Sequence, residues 1–134
     1  MQSTVTWKTD MKFDGKSQSG HTISLDGDAA HTAGPSPMEI VLLGLCGCTA
    51  FDVASILQKK REPFTGLTVS ATAEQAAEPP RVFTHVKLMY RVAGAVSRKA
   101  VEDAVRLSET KYCSVSAMIS KTAKIEYEIE FATE

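Results

Sequence analysis

Residues 36–53, SPMEIVLLGLCGCTAFDV, place two cysteines two positions apart inside a segment with the pattern of an apolar helix. Ser36 is suited to cap this helix, Pro37 to begin it, and Glu39 to complete an S-x-x-E capping box. The helix is predicted to run to about Lys60, where three consecutive cations suit the negative end of the helix dipole. At 1.5 Å per residue it would be about 37 Å long.

The apolar residues of this helix are spread over most of its circumference. They are Ile40, Val41, Leu42, Leu43, Leu45, Phe51, Val53, Ile56 and Leu57. Such a helix must be covered on all sides, but one chain with a single sheet and two shorter helices covers about one side. We therefore predict a central buried helix in an obligate homodimer, in which Gly44 and Gly47 let a second copy of the helix approach closely.

Turn dipeptides and alternating apolar residues predict strands on both sides of the helix. The strands predicted before it, an antiparallel meander, are Val5–Lys8, Lys12–Lys16 and Thr22–Leu25. The elements predicted after the helix are a hairpin around Leu67–Ala71 and Val86–Val92, two helices over Ser97–Thr110 and Cys113–Lys121, and a strand over Ile125–Phe131. The order β-β-β-α-β-β-α-α-β predicts one α+β domain over residues 1–134, with antiparallel sheets joined by hairpins rather than crossovers.

Composition and charge exclude several classes of protein. Lys and Arg number 15 against 16 Asp and Glu, and no basic run of five or more residues occurs, so nucleic acid is not an expected partner. The N-terminus lacks the order of a signal peptide, and the longest apolar run, Ile40–Cys46, is far below the ~18 residues that cross a bilayer. We expect a cytoplasmic protein without a membrane partner, whose three cysteines begin as free thiols.

Cys46 and Cys48 are predicted to point to opposite sides of the helix, about 200° apart. They can neither pair with each other nor bind one metal ion while the helix stands. The three histidines, His21, His31 and His85, lie in separate segments without ligand spacing, so we predict no metal or cofactor. Cys46 continues an apolar side of the helix and is interpreted as a packing residue.

Cys48 and Cys113 have neighbours that make each a candidate for thiol chemistry as well as for packing. The face around Cys48 combines Gly47 with the carboxylate of Asp52, which suggests that a backbone or a substrate approaches it. Close helix packing explains the glycine equally well. Cys113 lies near the first turn of a predicted helix, where the dipole and Lys111 would favour a thiolate. It is a candidate to attack a partner sulfur or to be attacked by one.

Three features together resemble the OsmC/Ohr family of bacterial thiol peroxidases, and most closely its small YhfA-type branch. They are Pro37, Cys48 eleven residues later, and Cys113 in the sequence C-S-V-S. The resemblance covers essentially the whole chain and implies an OsmC-like fold in an intertwined homodimer, with active sites at the subunit interface. Cys48 falls on the family's peroxidatic cysteine and Cys113 on its resolving cysteine. Cys46 falls where the family usually has a small residue.

The resemblance implies a reaction cycle based on two thiols. A thiolate attacks the O–O bond of a hydroperoxide, becomes a sulfenic acid, and condenses with the second thiol to a disulfide that an external dithiol reduces. In the family an arginine stabilises the thiolate, and a glutamate after the helix-opening proline holds that arginine. Here Met38 occupies the glutamate position and no arginine precedes Arg61. Candidates to supply the positive charge instead are Lys8, Lys12, Lys16 and His21.

Two functions are consistent with these residues. The first is a thiol-dependent peroxidase or redox protein that reduces organic hydroperoxides or hydrogen peroxide through Cys48 and Cys113. The second is a non-enzymatic member of the family that binds a small hydrophobic ligand in an apolar cleft at the dimer interface. Both cysteines favour the first function, whereas the missing arginine and glutamate favour the second.

Overall fold

The structure is a computed structural model that describes residues 1–132. Its elements are β1 (Ser3–Thr9), β2 (Lys12–Ser17), β3 (Thr22–Asp26), α1 (Pro37–Lys59), β4 (Phe64–Gln75), β5 (Phe83–Gly94), α2 (Arg98–Leu107), a π-helical turn (Ser108–Tyr112), α3 (Ser114–Ile119) and β6 (Lys124–Ala132). This confirms the predicted element order and the mixed α+β class. The residues form two compact units, an N-terminal unit of residues 1–43 and a C-terminal unit from Gly44 onwards. The single domain over residues 1–134 stays a prediction.

The N-terminal unit contains a three-stranded antiparallel sheet in the order β1-β2-β3, which confirms the predicted meander. Its apolar side chains are largely open to solvent. Val5 is 60% exposed, Trp7 63% and Ile23 49%. Asp26, at the end of β3, is by contrast fully buried. This sheet is therefore not built over an apolar core of its own.

Asp26 organises the loop that leads to the helix. Its carboxylate accepts the backbone N–H of Asp28 at 2.9 Å and that of Ala33 at 3.0 Å. These two hydrogen bonds hold the pKa of the Asp26 carboxyl below its usual value, because they favour the charged form. His31 also bonds to the Asp26 backbone carbonyl through Nδ1, at 2.8 Å. A polar hub thus orders this loop.

The predicted capping box starts α1. The backbone N–H of Ser36 donates to Glu39 Oε1 at 2.8 Å, and the N–H of Glu39 donates to Ser36 Oγ at 3.2 Å. Two N–H groups without helical partners are satisfied in this way, so the helix begins at Pro37. It ends at Lys59, one residue before the predicted end.

One stripe of α1 is buried within the C-terminal unit. It consists of Leu45, Thr49, Val53 and Leu57, at a spacing of four residues. Phe51 is 78% exposed, and a Cβ atom added to Gly44 or Gly47 would meet no neighbour within 4 Å. As predicted for one chain, the elements of the C-terminal unit cover one face of α1 only. Coverage by a second copy stays a prediction.

By length and composition, α1 is apolar enough to span a bilayer. The short uninterrupted run Ile40–Cys46 does not reveal this, because glycine and small polar residues barely lower the mean hydropathy of the 23-residue helix. Within the C-terminal unit, however, Thr49 of α1 bonds to Tyr90 of β5 at 2.7 Å. The helix thus packs against a sheet through its buried stripe.

The sheet of the C-terminal unit has the order β4-β5-β6. The hairpin of β4 and β5 is antiparallel as predicted, with Val69 opposite Tyr90. Strand β6 instead runs parallel to β5, with Tyr127 opposite Leu88, so the prediction of antiparallel pairs without a crossover is wrong here. Side chains alternate with a period of two in both arrangements, so the pattern carries no information on strand direction.

The crossover between β5 and β6 contains the second departure from prediction. Helix α2 starts as expected, since Ser97 Oγ accepts the N–H of Ala100 at 3.2 Å. It ends at Leu107 instead of Thr110 and continues as the π-helical turn, in which the N–H of Cys113 donates to Ser108 O at 2.8 Å. A π-helical turn uses an additional residue, and such turns are common at functional sites. Helix α3 then ends two residues before the predicted Lys121.

Candidate thiol site

The C-terminal unit brings the two predicted site cysteines together. Cys48 and Asp52 lie one turn apart on α1, and Cys113 follows the π-helical turn. The two sulfur atoms and a carboxylate oxygen of Asp52 all lie within 4.8 Å of one another. Cys46, two residues from Cys48, is half-buried and is not a member of this cluster. The arrangement joins residues that are far apart in the sequence.

Cys113 is the more buried thiol of the pair, with 4% of its surface exposed. Burial raises the pKa of Cys113 to about 11, although the N–H of Ser116, 3.4 Å from Sγ, acts in the opposite direction. The prediction that the helix terminus favours a thiolate here is therefore wrong. Cys113 does cap α3, but this helix has only six residues, and the loss of hydration outweighs its dipole.

A buried hydroxyl cluster holds Asp52 beside the two thiols. Ser108 Oγ donates to Asp52 Oδ2 at 2.9 Å, and Thr49 Oγ1 lies 2.7 Å from Ser108 Oγ. Thr49 also lies 2.7 Å from the hydroxyl of Tyr90. Thr49, Ser108 and Tyr90 are all fully buried. The carboxylate of Asp52 is thus connected to the interior of the unit through three hydroxyl groups.

The same cluster continues to a second carboxylate and returns to Cys113. Tyr90 Oη donates to Glu109 Oε2 at 2.8 Å, and Ser116 Oγ donates to Glu109 Oε1 at 2.7 Å. Burial raises the pKa of Tyr90, so its hydroxyl stays protonated. Because Ser116 also donates its N–H to Cys113, the cluster contacts the thiol pair at both of its ends.

A cleft of about 400 Å³ opens beside Asp52. Its lining residues are Asp52, Ser55, Ile56, Lys59, Lys60, Leu107 and Tyr112. Lys59 and Lys60, whose charges suit the negative end of the helix dipole, therefore also bring positive charge to the cleft that Asp52 lines. The lining combines apolar side chains with two cations and a carboxylate, which suits a small organic molecule.

The donor atoms of Cys48, Asp52 and Cys113 also satisfy the distances expected around one metal ion. Within residues 1–132 this group offers three ligand atoms, whereas a structural zinc site has four protein ligands. The absence of a metal and of a cofactor stays a prediction.

Some of the cations that precede α1 in the sequence form ion pairs within the N-terminal unit. Lys8 pairs with Asp14 at 3.4 Å and Lys12 with Asp28 at 3.7 Å. Met38 lies in the first turn of α1, where the family has its glutamate. Two of the four candidate cations are thus engaged in ion pairs within this unit.

Most of the hydroxyl cluster was not predicted from the sequence. Thr49, Tyr90, Ser108, Glu109 and Ser116 were not identified as site residues. A signal existed at two of them, since Thr49 interrupts the apolar stripe of α1, and Ser108 continues that of α2. A polar residue at a core position needs a buried partner. Which partner it has depends on the tertiary structure.

Comparison with known proteins gives a consistent result. Residues 27–128 match the OsmC-like protein family. Protein YhfA of Escherichia coli is 45% identical over 131 residues, covering 97% of each chain. A hypothetical protein from Aquifex aeolicus has a crystal structure that aligns with a TM-score of 0.90 at 28% identity, covering 99% of this chain and 96% of that one. The organic hydroperoxide resistance protein OhrB of Bacillus subtilis shares the fold, with a TM-score of 0.70 at 12% identity and coverage of 97% and 98%.

Proposed function

Because the chain belongs to the OsmC-like protein family, we propose that it is a thiol-dependent peroxidase in which Cys48 is the nucleophile and Cys113 the resolving thiol. The observation that carries this proposal is the approach of the two sulfur atoms to within 4.8 Å, although 64 residues lie between them in the sequence. The existence of structural relatives named for hydroperoxide resistance adds support.

The proposed cycle has two chemical steps. In the first, the Cys48 sulfur attacks the O–O bond of a hydroperoxide, which yields a sulfenic acid and releases an alcohol. In the second, Cys113 attacks the sulfenic sulfur and displaces water to form a disulfide. An S–S bond is about 2.05 Å long, so the sulfur atoms must move closer by less than 3 Å. An external dithiol then returns both cysteines to thiols.

The buried state of Cys113 sets a requirement for the second step. Because burial raises the pKa of Cys113 to about 11, its thiol is protonated at pH 7. Resolution therefore needs a base that removes the Cys113 proton as the sulfur attacks. Asp52, within 4.8 Å of Cys113, is suitably placed for this task.

The experiment that tests this function is an intact-mass measurement on reduced protein treated with one equivalent of cumene hydroperoxide or hydrogen peroxide. We expect the loss of two hydrogens in the wild type, reversed by dithiothreitol and absent in Cys113→Ser, which should instead gain one oxygen at Cys48. An unchanged wild-type mass would contradict the proposal.

Cys46 provides a matched control on the same helix. Cys48→Ser should abolish peroxide consumption, whereas Cys46→Ser should keep most of it, because only Cys48 lies beside Cys113. Equal loss of activity in both variants would contradict the assignment of Cys48 as the nucleophile.

A second candidate is a non-enzymatic binding protein for a small hydrophobic ligand. The exposed apolar face of α1, with Phe51 78% exposed, favours this alternative. If it is correct, hydroperoxide leaves the mass unchanged while a hydrophobic fluorophore such as ANS binds, and Phe51→Glu reduces its binding.

We further propose that the protein acts as a homodimer in the bacterial cytoplasm. Its relatives include bacterial proteins, and the three cysteines are free thiols. Gly44 and Gly47 leave open space on the uncovered face of α1, which is suited to a second copy of the helix. Light scattering that gives 14.5 kDa at micromolar concentration would contradict the dimer.

A further inference from the structure

Five oxygen atoms form a continuous chain between two carboxyl groups of the C-terminal unit. In order they belong to Asp52, Ser108, Thr49, Tyr90 and Glu109, and the successive distances are 2.9, 2.7, 2.7 and 2.8 Å. The three hydroxyl groups in the middle are fully buried, and both carboxyl groups at the ends are half-buried. Each of the four distances is that of an O–H···O hydrogen bond.

The number of protons in this chain can be counted. Each hydroxyl has one proton, so three hydroxyls supply three protons for four contacts. If both carboxylates are ionised, Ser108 and Tyr90 donate outwards to them, and Thr49 has one proton for two neighbours. One pair of oxygens would then meet at 2.7 Å without a proton between them. A fourth proton, held by one of the two carboxyl groups, removes this conflict.

We infer that Asp52 and Glu109 share one proton through the buried hydroxyls of Ser108, Thr49 and Tyr90, and that Asp52 thereby exchanges protons with the two thiols. When the shared proton lies on Glu109, all hydroxyls donate towards Asp52, which is then an ionised base. When the proton lies on Asp52, all hydroxyls donate towards Glu109. The chain of oxygen atoms thus has two arrangements in which every contact is a hydrogen bond. They differ in the direction in which all the hydroxyls donate.

The role of Asp52 in the thiol reactions rests on the proposed peroxidase function. In the first step Asp52 takes the proton of Cys48 and gives it to the leaving alkoxide, which departs as an alcohol. In the second it takes the proton of Cys113 and gives it to the hydroxide displaced from the Cys48 sulfenic acid, which departs as water. Asp52 is ionised again after each step. At up to 4.8 Å, one bridging water molecule spans the distance to either sulfur.

The charged and titratable groups around this chain of oxygen atoms come from several elements of the C-terminal unit. Asp52 faces Cys48 on its own helix, Cys113 after the π-helical turn, and the cleft that contains Lys59, Lys60 and Tyr112. Glu109 accepts hydrogen bonds from Tyr90 of β5 and Ser116 of α3. Lys59 and Lys60 line the same cleft as Asp52 and are the positively charged groups on this side of the hydroxyl chain.

Infrared difference spectroscopy of the reduced protein in the absence of peroxide tests the shared proton directly. At pH 7 the wild type should show the C=O stretching band of one protonated carboxyl group. Transfer to D₂O should shift this band to lower frequency, which identifies it in the difference spectrum. Thr49→Val keeps both carboxyl groups and the volume of the side chain but breaks the chain, so both carboxylates ionise and the band disappears. The matched control is Thr68→Val on the exposed face of β4, which should keep the band.

Amide substitutions at the ends provide an independent prediction. In Glu109→Gln or Asp52→Asn an amide N–H supplies the missing donor, so all four contacts are satisfied and the band should disappear in both variants. A wild type without the band, or a Thr49→Val variant that retains it, would overturn the inference.

The kinetics of disulfide formation test the exchange with the thiols. We expect Asp52→Asn to form the Cys48–Cys113 disulfide roughly 100-fold more slowly at pH 7. The control Thr68→Val, at an exposed residue of β4 outside the cluster, should form it within about threefold of the wild-type rate. The rate in Asp52→Asn should rise about tenfold per pH unit, because Cys113 must then ionise without help. Identical pH profiles for Asp52→Asn and wild type would overturn this role. If no disulfide forms in the wild type, the peroxidase proposal fails with it, while the infrared experiment still decides the shared proton.

Discussion

The two sheets have the same number of strands, but their apolar residues differ in burial. Every residue of β1 in the N-terminal unit is exposed, including Val5 and Trp7. In β5 of the C-terminal unit, by contrast, Val86, Leu88 and Val92 are fully buried. Alternation in the sequence predicts a strand with an apolar face in both cases. Whether that face is covered depends on what packs against it.

This difference has a consequence for stability and assembly. The C-terminal unit contains its own apolar core, whereas the N-terminal unit is organised by the buried carboxylate of Asp26. Apolar strand faces left open in one chain are typical of surfaces that a partner covers. The comparison therefore favours a second copy as the missing cover, in agreement with the proposed dimer.

The largest effect is expected for a core substitution in the C-terminal unit. Leu88→Ala should lower the free energy of unfolding by about 3 kcal/mol, since Leu88 is fully buried in β5. The matched substitution Ile23→Ala, at a residue that is 49% exposed, should cost less than about 0.5 kcal/mol when the chain is monomeric. Urea denaturation of both variants measures the difference. Equal losses at high dilution would show that the N-terminal sheet has a core of its own.

A smaller effect, which depends on concentration, is expected on the open face of α1. If a second copy covers it, each tenfold dilution lowers the apparent stability of the wild type by about 1.4 kcal/mol per mole of dimer. Phe51→Glu should abolish this dependence, because it places a charge in the interface. Thr68→Glu, which adds the same charge to an exposed position of β4, should keep it. A wild type whose unfolding midpoint does not change on dilution would contradict the dimer.

A substitution at Asp26 tests whether its carboxylate orders the loop that leads to α1 in the N-terminal unit. Its pKa is lowered in the folded protein, so it stabilises the fold above the unfolded pKa of 3.8, and this contribution is lost as the pH falls further. We expect Asp26→Asn to weaken the amide exchange protection of Asp28 and Ala33 and to flatten the decline in stability below pH 4. Protection unchanged from wild type would mean that the loop is ordered by other contacts.

The smallest effect is expected at the start of α1. Ser36→Ala removes the hydroxyl that accepts the N–H of Glu39 and should cost about 1 kcal/mol. Ser3→Ala, at an exposed residue of β1, is the control and should leave the thermal midpoint unchanged. A midpoint for Ser36→Ala equal to that of wild type would show that the capping box contributes nothing to stability.

Local residue patterns predicted the elements but not all of their boundaries. Ser36, Pro37 and Glu39 determined the start of α1 because capping involves groups only three residues apart. The end of α2 was predicted wrongly, because its apolar spacing continues to Ser108 although the backbone has already changed to a π-helical turn. The switch adds one residue per turn without changing the type of side chain that faces the core.

The sequence by itself determined the order of the elements, the α+β class, and the two cysteines that resemble a redox pair, since turns, caps, periodicity and motifs are all local properties. The tertiary structure alone decided that β6 runs parallel to β5, that Cys113 is too buried to favour a thiolate, and that a chain of hydroxyls connects Asp52 to Glu109. These properties depend on contacts between residues far apart in the chain. Strand direction, burial and hydrogen-bond partners are set by such contacts, because the two residues that form each contact lie in different segments of the sequence.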